Sequence, residues 1–365
     1  MAIGCRLREK VHGGEKFEKF AAGARHTVVS AIVFAGTINL FLFEVCMAKF
    51  LLALTILMPA LLSAQVPHRL GSVHTPEVDL SYETFGSLGA EIPLLAVNGG
   101  PGLSHAYMMQ NDLWQRAAAH RLIVLYDQRG TGASKQVQPN APQSMEAQVA
   151  DLDAVRRALS LDRIAVLGDS YGGMIAMAYA AAHPEHVSRL ILSDSAAPSW
   201  KTMVHLLPQV FPDREEQGDA ETKRLAADPE AAAQAGLVNH MRMCFYSPEK
   251  RDAYVSHMGD IGFVPAVGRA VQQATENLDL TPKLADFHFP TLVITGRYDM
   301  NVAPLTAWRM AHAIPGAQIV FFEKSGHLPA YEEPEKYLKV LETFLAADRT
   351  TLRKAKHTKA GEPPG

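Results

Sequence analysis

The chain has 365 residues, of which 48% are hydrophobic and 20% charged, which suits a folded protein with a sizeable core. A formal net charge of -3 gives no basic footprint, so no nucleic-acid partner is expected. The three cysteines and the absence of CxxC or HExxH spacing give no expectation of a disulfide framework, a metal site or a cofactor.

Residues 1–64 read as lying outside the fold. Phe50–Leu62 is an apolar run preceded by Lys49 and followed by Ser63-Ala64-Gln65, the charge, core and small-residue exit of a secretory signal peptide. Residues 47–64 form a complete signal by themselves, with cleavage expected after Ala64 and a secreted or periplasmic destination. Met47 is then the expected initiator and residues 1–46 an upstream over-extension. A second reading takes Thr27–Phe43 and Phe50–Leu62 as membrane anchors, although both are short for a full span. At the other end, the basic cluster Arg349–Lys359 reads as a solvated tail.

From Val66 onward, short apolar runs alternate with helical stretches. Val78–Phe85 is predicted as an early strand, and Pro93–Val97 and Leu122–Tyr126 as strands buried on both faces. Gln110–His120 is a helix candidate between them. Met145–Leu161 carries apolar residues at helical spacing, followed by the strand Arg163–Leu167 and the Ala-rich helix Met174–His183, ended by Pro184. Arg189–Leu192, Thr291–Thr295 and Gln318–Phe322 complete the predicted strands, with helices over Ala303–Ile314 and Glu335–Ala347. This rhythm predicts an α/β fold with a mostly parallel sheet flanked by helices. Between Ser195 and Phe289 no strand is evident, and stretches such as Ala220–Ala235 predict helix. The expected organisation is a core of residues 65–195 and 289–347, a helical cap over 196–288 and a tail over 348–365.

Gly168-Asp169-Ser170-Tyr171-Gly172 directly follows one predicted strand and precedes a helix. A serine hydroxyl is a poor nucleophile and must be held in the open beside a base, and a tight strand–turn–helix elbow does this. Asn98-Gly99-Gly100-Pro101-Gly102 follows the strand ending at Val97 and can bring its backbone close to a reacting carbonyl. Tyr171 and this loop are the expected oxyanion donors. Asp299, after the strand ending at Thr295, is the favoured acid, with Asp194 as its rival after the preceding strand. His327, in Ser325-Gly326-His327, is the candidate base, and the order Ser, Asp, His is the one such a sheet imposes. His105, close behind the glycine loop, is given a site-lining role without catalysis. Asp127–Ser134 reads as a structural turn in which Arg129 pairs locally, and Met241–Tyr246 as cap core.

Taken in order, NGGPG, DQRGTGAS, GDSYGG, GRYD and SGH resemble the prolyl iminopeptidase group of serine peptidases on the α/β-hydrolase fold, over residues 75–345. The resemblance implies a triad of Ser170, Asp299 and His327, oxyanion amides from Gly100 and Tyr171, loop support from Asn98 and Gly99, and release of an N-terminal residue from short peptides without metal or cofactor. Asn98 stands where the group typically has histidine, and its carboxamide can still hold the loop. An ammonium ion in a partly dry site needs a carboxylate, for which Glu276 of the cap is a candidate; Trp200 is the tryptophan near the cap. The expected partner is a small-molecule or short-peptide substrate, with a membrane involved only if the N-terminal segment is kept as an anchor. Two other readings stay open: a carboxylesterase or lactonase without amine recognition, and a non-catalytic ligand-binding homologue.

Overall fold

The computed structural model of the chain describes residues 66–138 and 140–346. The expected signal peptide, the stretch before it and the basic tail lie outside the described residues. Among the described residues no helix is long and apolar enough to cross a membrane.

Among the described residues nine strands form one sheet: β1 (His68–His74), β2 (Val78–Phe85), β3 (Leu94–Val97), β4 (Ile123–Tyr126), β5 (Lys135–Gln136), β6 (Ile164–Asp169), β7 (Val187–Ser193), β8 (Thr291–Gly296) and β9 (Gln318–Phe322). Their order is β1-β2-β4-β3-β6-β7-β8-β9, with β5 paired to the edge of β2. From β4 to β9 every pairing is parallel, and β2 joins this block antiparallel through Tyr82–Phe85 against Ile123–Tyr126. Burial on both faces explains the continuous apolar runs. Leu95, Val97, Val124, Tyr126 and Val166 pack into one core cluster, while Leu94, Ala96, Ile123, Leu125, Ala165 and Leu167 pack into the other. Alternate residues of one strand thus serve opposite cores, so no position in β3, β4 or β6 tolerates a polar side chain without a partner.

Helices flank the sheet over Met145–Ala158, Tyr171–Ala182, Pro304–Ala313 and Pro334–Ala346. The helix over Met145–Ala158 is capped by Ser144, whose hydroxyl accepts the N–H of Ala147. The segment between β7 and β8 carries helices over Leu207–Val210, Pro212–Arg224, Pro229–Arg242, Pro248–Val255 and Pro265–Thr275 and no strand. The predicted helical stretch around Ala220–Ala235 is broken by Asp228-Pro229, where Asp228 caps the next helix through the N–H groups of Glu230 and Ala231. These helices have their own small core of Leu207, Met241, Met243, Cys244, Tyr254, Met258 and Ile261, which meets Leu103, Tyr107 and Leu328 from the sheet side.

Candidate active site

Ser170, the Asn98–Gly102 loop, Asp299 and His327 all lie within a few residues of the C-terminal end of a parallel strand, where ligands bind in open α/β sheets. Ser170 follows β6 directly and the helix Tyr171–Ala182 starts at the next residue. Its backbone is forced into φ 52° and ψ −121°, a region a serine rarely occupies. The surroundings hold it there: the Ser170 N–H donates to the Ser193 carbonyl at 3.0 Å, and the Ser170 carbonyl accepts from Gly173 and Ala196 at 3.0 and 2.8 Å. The side chain is thereby left half-exposed above the sheet.

His327 Nδ1 lies 2.7 Å from Asp299 Oδ2, and its Nε2 lies 3.0 Å from Ser170 Oγ. An ionised carboxylate can only accept, so Nδ1 carries the proton and Nε2 is left to accept from the serine hydroxyl. Asp299 is fully buried, and its other oxygen accepts the N–H groups of Asn301 and Val302 at 2.9 and 2.8 Å. Burial pulls the His327 imidazolium down, but the charge and hydrogen bond of Asp299 outweigh it, and the ring ends above the ordinary histidine value.

Asp194, the rival acid, sits beside this pair but bonds elsewhere, accepting the Gly296 N–H at 2.8 Å. Burial and the neighbouring charge of Asp299 push its carboxyl far above the usual range. Asp194, Asp299 and His327 bring ligand-type atoms within 4.8 Å of one another. Both Asp299 oxygens and one of Asp194 are already taken by N–H donors, which a cation would have to displace. The arrangement fits a hydrogen-bonded relay better than a metal site.

The glycine loop packs against this elbow. A Cβ on Gly99 would stand 2.6 Å from the Ser170 Cβ and 2.7 Å from the Asp169 carbonyl, so only glycine lets the loop come this close. Gly100 follows at φ 46°. The Gly99 N–H is spent on the Tyr107 hydroxyl at 2.6 Å and is therefore not free for a developing oxyanion. Asn98 is fully buried and its Nδ2 donates to the carbonyls of Gly99 and Leu103 at 3.1 and 2.8 Å. Its side chain therefore braces the loop from within.

The remaining predicted residues take other places. The Tyr171 ring stacks on Trp200 with centroids 5.9 Å apart, and the Trp200 Nε1–H donates to Thr275 Oγ1 at 3.0 Å. Glu276 follows Thr275 but is exposed and accepts from Asn277 Nδ2, so it does not stand in a dry pocket. His105 is clamped between Asp127 and Glu83 at 2.7 and 2.9 Å; burial opposes its charge, yet the two carboxylates lift it to about 9. It ties β2 to the turn after β4. Arg129 is buried and grips Asp151 with two hydrogen bonds of 2.7 and 2.8 Å while reaching Glu77, which makes its turn a structural one.

Several supporting residues escaped the reading of the sequence. The His327 N–H donates to the Cys244 carbonyl at 2.7 Å, which ties the helical segment to the base. Glu332 is buried and its carboxylate collects the N–H groups of Tyr246, Ser247 and Gly326. It lies in the run Glu332-Glu333-Pro334-Glu335-Lys336, which resembles any solvated charged turn. His240 and His205 stack with centroids 6.5 Å apart, and burial together with the charges of His327 and His205 brings His240 down to about 4.

Residues 92–334 match the family model described as alpha/beta hydrolase fold. The chain belongs to the α/β-hydrolase family. Within this family it falls in the prolyl iminopeptidase-like group. A proline iminopeptidase of Clostridium botulinum is 33% identical over 293 residues, covering 73% of this chain and 95% of the relative. One of Levilactobacillus brevis is 32% identical over 286 residues, covering 73% and 92%. Among solved structures, an esterase from Thermogutta terrifontis is similar with 25% identity and a TM-score of 0.59, covering 76% of this chain and 98% of that one. An enol-lactonase from Burkholderia xenovorans shares the α/β-hydrolase fold with 22% identity and a TM-score of 0.61, covering 76% and 100%.

Proposed function

We propose that this α/β-hydrolase is a serine hydrolase that cleaves small amides through an acyl-enzyme, as an aminopeptidase of the proline iminopeptidase type. The observation that carries the chemistry is the hydrogen-bonded chain from Ser170 through His327 to Asp299. Ser170 Oγ attacks the substrate carbonyl carbon while His327 Nε2 takes its proton, and the Gly100 and Tyr171 amides hold the negative oxygen. His327 returns the proton to the leaving nitrogen as the C–N bond breaks, leaving an ester on Ser170. Water then repeats the sequence, giving up its proton to His327 as it attacks, and frees the acid and the serine. Asp299 keeps the imidazole in the tautomer this needs. The peptidase specificity is supported by relatives of that name that match nearly three quarters of the chain.

A second reading, an esterase or lactonase without amine recognition, is favoured by one observation. Glu276, the acid expected to hold the ammonium group, is exposed. Hydrolysis of a proline arylamide and of p-nitrophenyl acetate by the full chain and by Ser170→Ala separates the readings. Turnover of the arylamide that disappears in the variant supports the aminopeptidase. Turnover of the ester alone leaves the second reading, and no turnover of either substrate by folded protein contradicts both. The residue 47–64 segment supports an exported enzyme on sequence grounds.

A further inference from the structure

Asp169 precedes the nucleophile at the end of β6, and its Oδ2 accepts a hydrogen bond from the Tyr107 hydroxyl. The same oxygen of Tyr107 accepts the N–H of Gly99 at 2.6 Å. Three segments therefore meet at one hydroxyl: the nucleophile elbow, the glycine loop and the short turn His105–Met109. Tyr107 and Asp169 are 5% and 6% exposed, so water does not compete for these bonds. A hydroxyl that donates to a carboxylate is polarised into a better acceptor, which strengthens its hold on Gly99.

The helical segment between β7 and β8 fastens the other side of this unit. The Tyr254 hydroxyl donates to the Tyr107 carbonyl at 3.0 Å, Ser104 Oγ donates to the Ile261 carbonyl at 2.7 Å, and the Val264 N–H donates to the Gly102 carbonyl at 2.8 Å. Gly99 has no Cβ to wedge it in position, and Gly100 sits in a backbone region open to glycine. A loop of two such residues would otherwise sample many conformations. Asn98 holds the Gly99 carbonyl from within, and the Tyr107 hydroxyl holds the Gly99 N–H, within van der Waals reach of Ser170.

We propose that Tyr107 is a positioning residue, anchored by Asp169, that holds the Gly99–Gly100 peptide against Ser170 and so keeps the Gly100 amide aimed at the oxyanion. This rests on the serine-hydrolase reading above and adds the source of its preorganisation. Tyr107 does not touch the reacting atoms; it acts through Gly99. Loss of a preorganised oxyanion donor costs about 10²–10³ in kcat, and a donor that is loosened but kept should cost less.

The test uses the full chain, with hydrogen exchange of the peptide spanning residues 98–104 as one readout and turnover of p-nitrophenyl acetate as the other. In Tyr107→Phe the loop peptide should exchange roughly ten-fold faster, and kcat should fall about 30-fold while KM stays within about three-fold. Asp169→Asn keeps an acceptor for the tyrosine and should stay within about five-fold of wild-type kcat. Asp169→Ala leaves Tyr107 in place but unanchored, so it serves if Tyr107→Phe does not fold; its loop exchange must rise and its kcat fall by at least about five-fold. Unchanged loop exchange in the removing variant overturns the proposal, as does a loss that appears in KM with kcat intact. A wild type with a slowly exchanging loop and no turnover would instead sink the hydrolase reading, and with it any catalytic purpose for the clamp.

Discussion

The backbone N–H of His327 donates to the carbonyl of Cys244 at 2.7 Å, so the candidate base is fixed in part by the helical segment between β7 and β8. Cys244 is fully buried, in the small core formed by Met241, Met243 and Tyr254. This segment therefore holds the loop that carries the imidazole. Packing defects there should be felt in catalysis, even at residues that never meet substrate.

Glu332 makes this link testable. Its carboxylate satisfies the N–H groups of Tyr246, Ser247 and Gly326, the last at 2.6 Å and one residue before His327. Burial raises its pKa against the pull of these N–H groups. Glu332→Ala leaves several buried donors unpaired and should cost about 3 kcal/mol of stability, with reduced kcat. Urea unfolding measures the first effect; a loss below about 1 kcal/mol would mean that water replaces the carboxylate without penalty.

The pH profile follows from His327. Its imidazolium sits above the ordinary value, because the effect of burial is outweighed by Asp299. The base works only when neutral, so kcat/KM should rise with pH through that elevated value, leaving the enzyme weak in mildly acidic solution. Asp299→Asn removes the charge that holds the proton. The rise should move to lower pH, while the plateau drops by about 10⁴-fold through loss of the correct tautomer. A profile whose inflection does not move in the variant would assign the titration to another group.

Close approach at Gly99 predicts a sharp steric penalty. A methyl there would press on the Ser170 Cβ at 2.6 Å and on the Tyr107 hydroxyl at 2.8 Å. Gly99→Ala should keep the fold but lower kcat at least about 100-fold, as the loop withdraws from the elbow. Near-normal kcat in a folded variant would show that the loop has room to spare.

Stability and activity should part company at Asp169. Burial raises its carboxyl from 3.8 to about 6, against the opposing hydrogen bond of Tyr107. Between those values the folded chain binds more protons at this group than the unfolded chain does. Its contribution is complete below pH 3.8 and is lost as pH rises through 6, by up to about 3 kcal/mol. Asp169→Asn lacks this dependence, so its stability relative to wild type should improve between pH 4 and pH 7. Denaturant midpoints at the two pH values measure this, and a constant difference would refute it.

The parallel strands were legible in the sequence because burial on both faces writes a continuous apolar run, as in β3 and β4. So was the order of Ser170, Asp299 and His327, since each lies within a few residues of the C-terminal end of its strand. The strand β1 was not, because His68–His74 is an edge strand with exposed side chains and carries almost no apolar pattern. The helix expected over Gln110–His120 shrinks to Leu113–Ala117, and the helix expected from Met174 instead begins at Tyr171, against the strained serine. Arg129 is structural, as its turn suggested, but it does not pair locally: its partners Asp151 and Glu77 lie 22 and 52 residues away in the chain. Glu332, Tyr107 and the Cys244 carbonyl were invisible for a common reason. Their partners are mostly backbone groups, whose positions no residue pattern records, and several lie far away in the chain.

The most direct test of the central claim is labelling of the folded full chain with a fluorophosphonate, read by intact and peptide mass. Such a reagent reacts with a serine only when a base has activated it. A single adduct on the peptide containing Ser170, absent from Ser170→Ala and strongly slowed in His327→Ala, is the predicted result. Folded wild type that takes no label, or a Ser170→Ala variant that still takes it, would contradict the account.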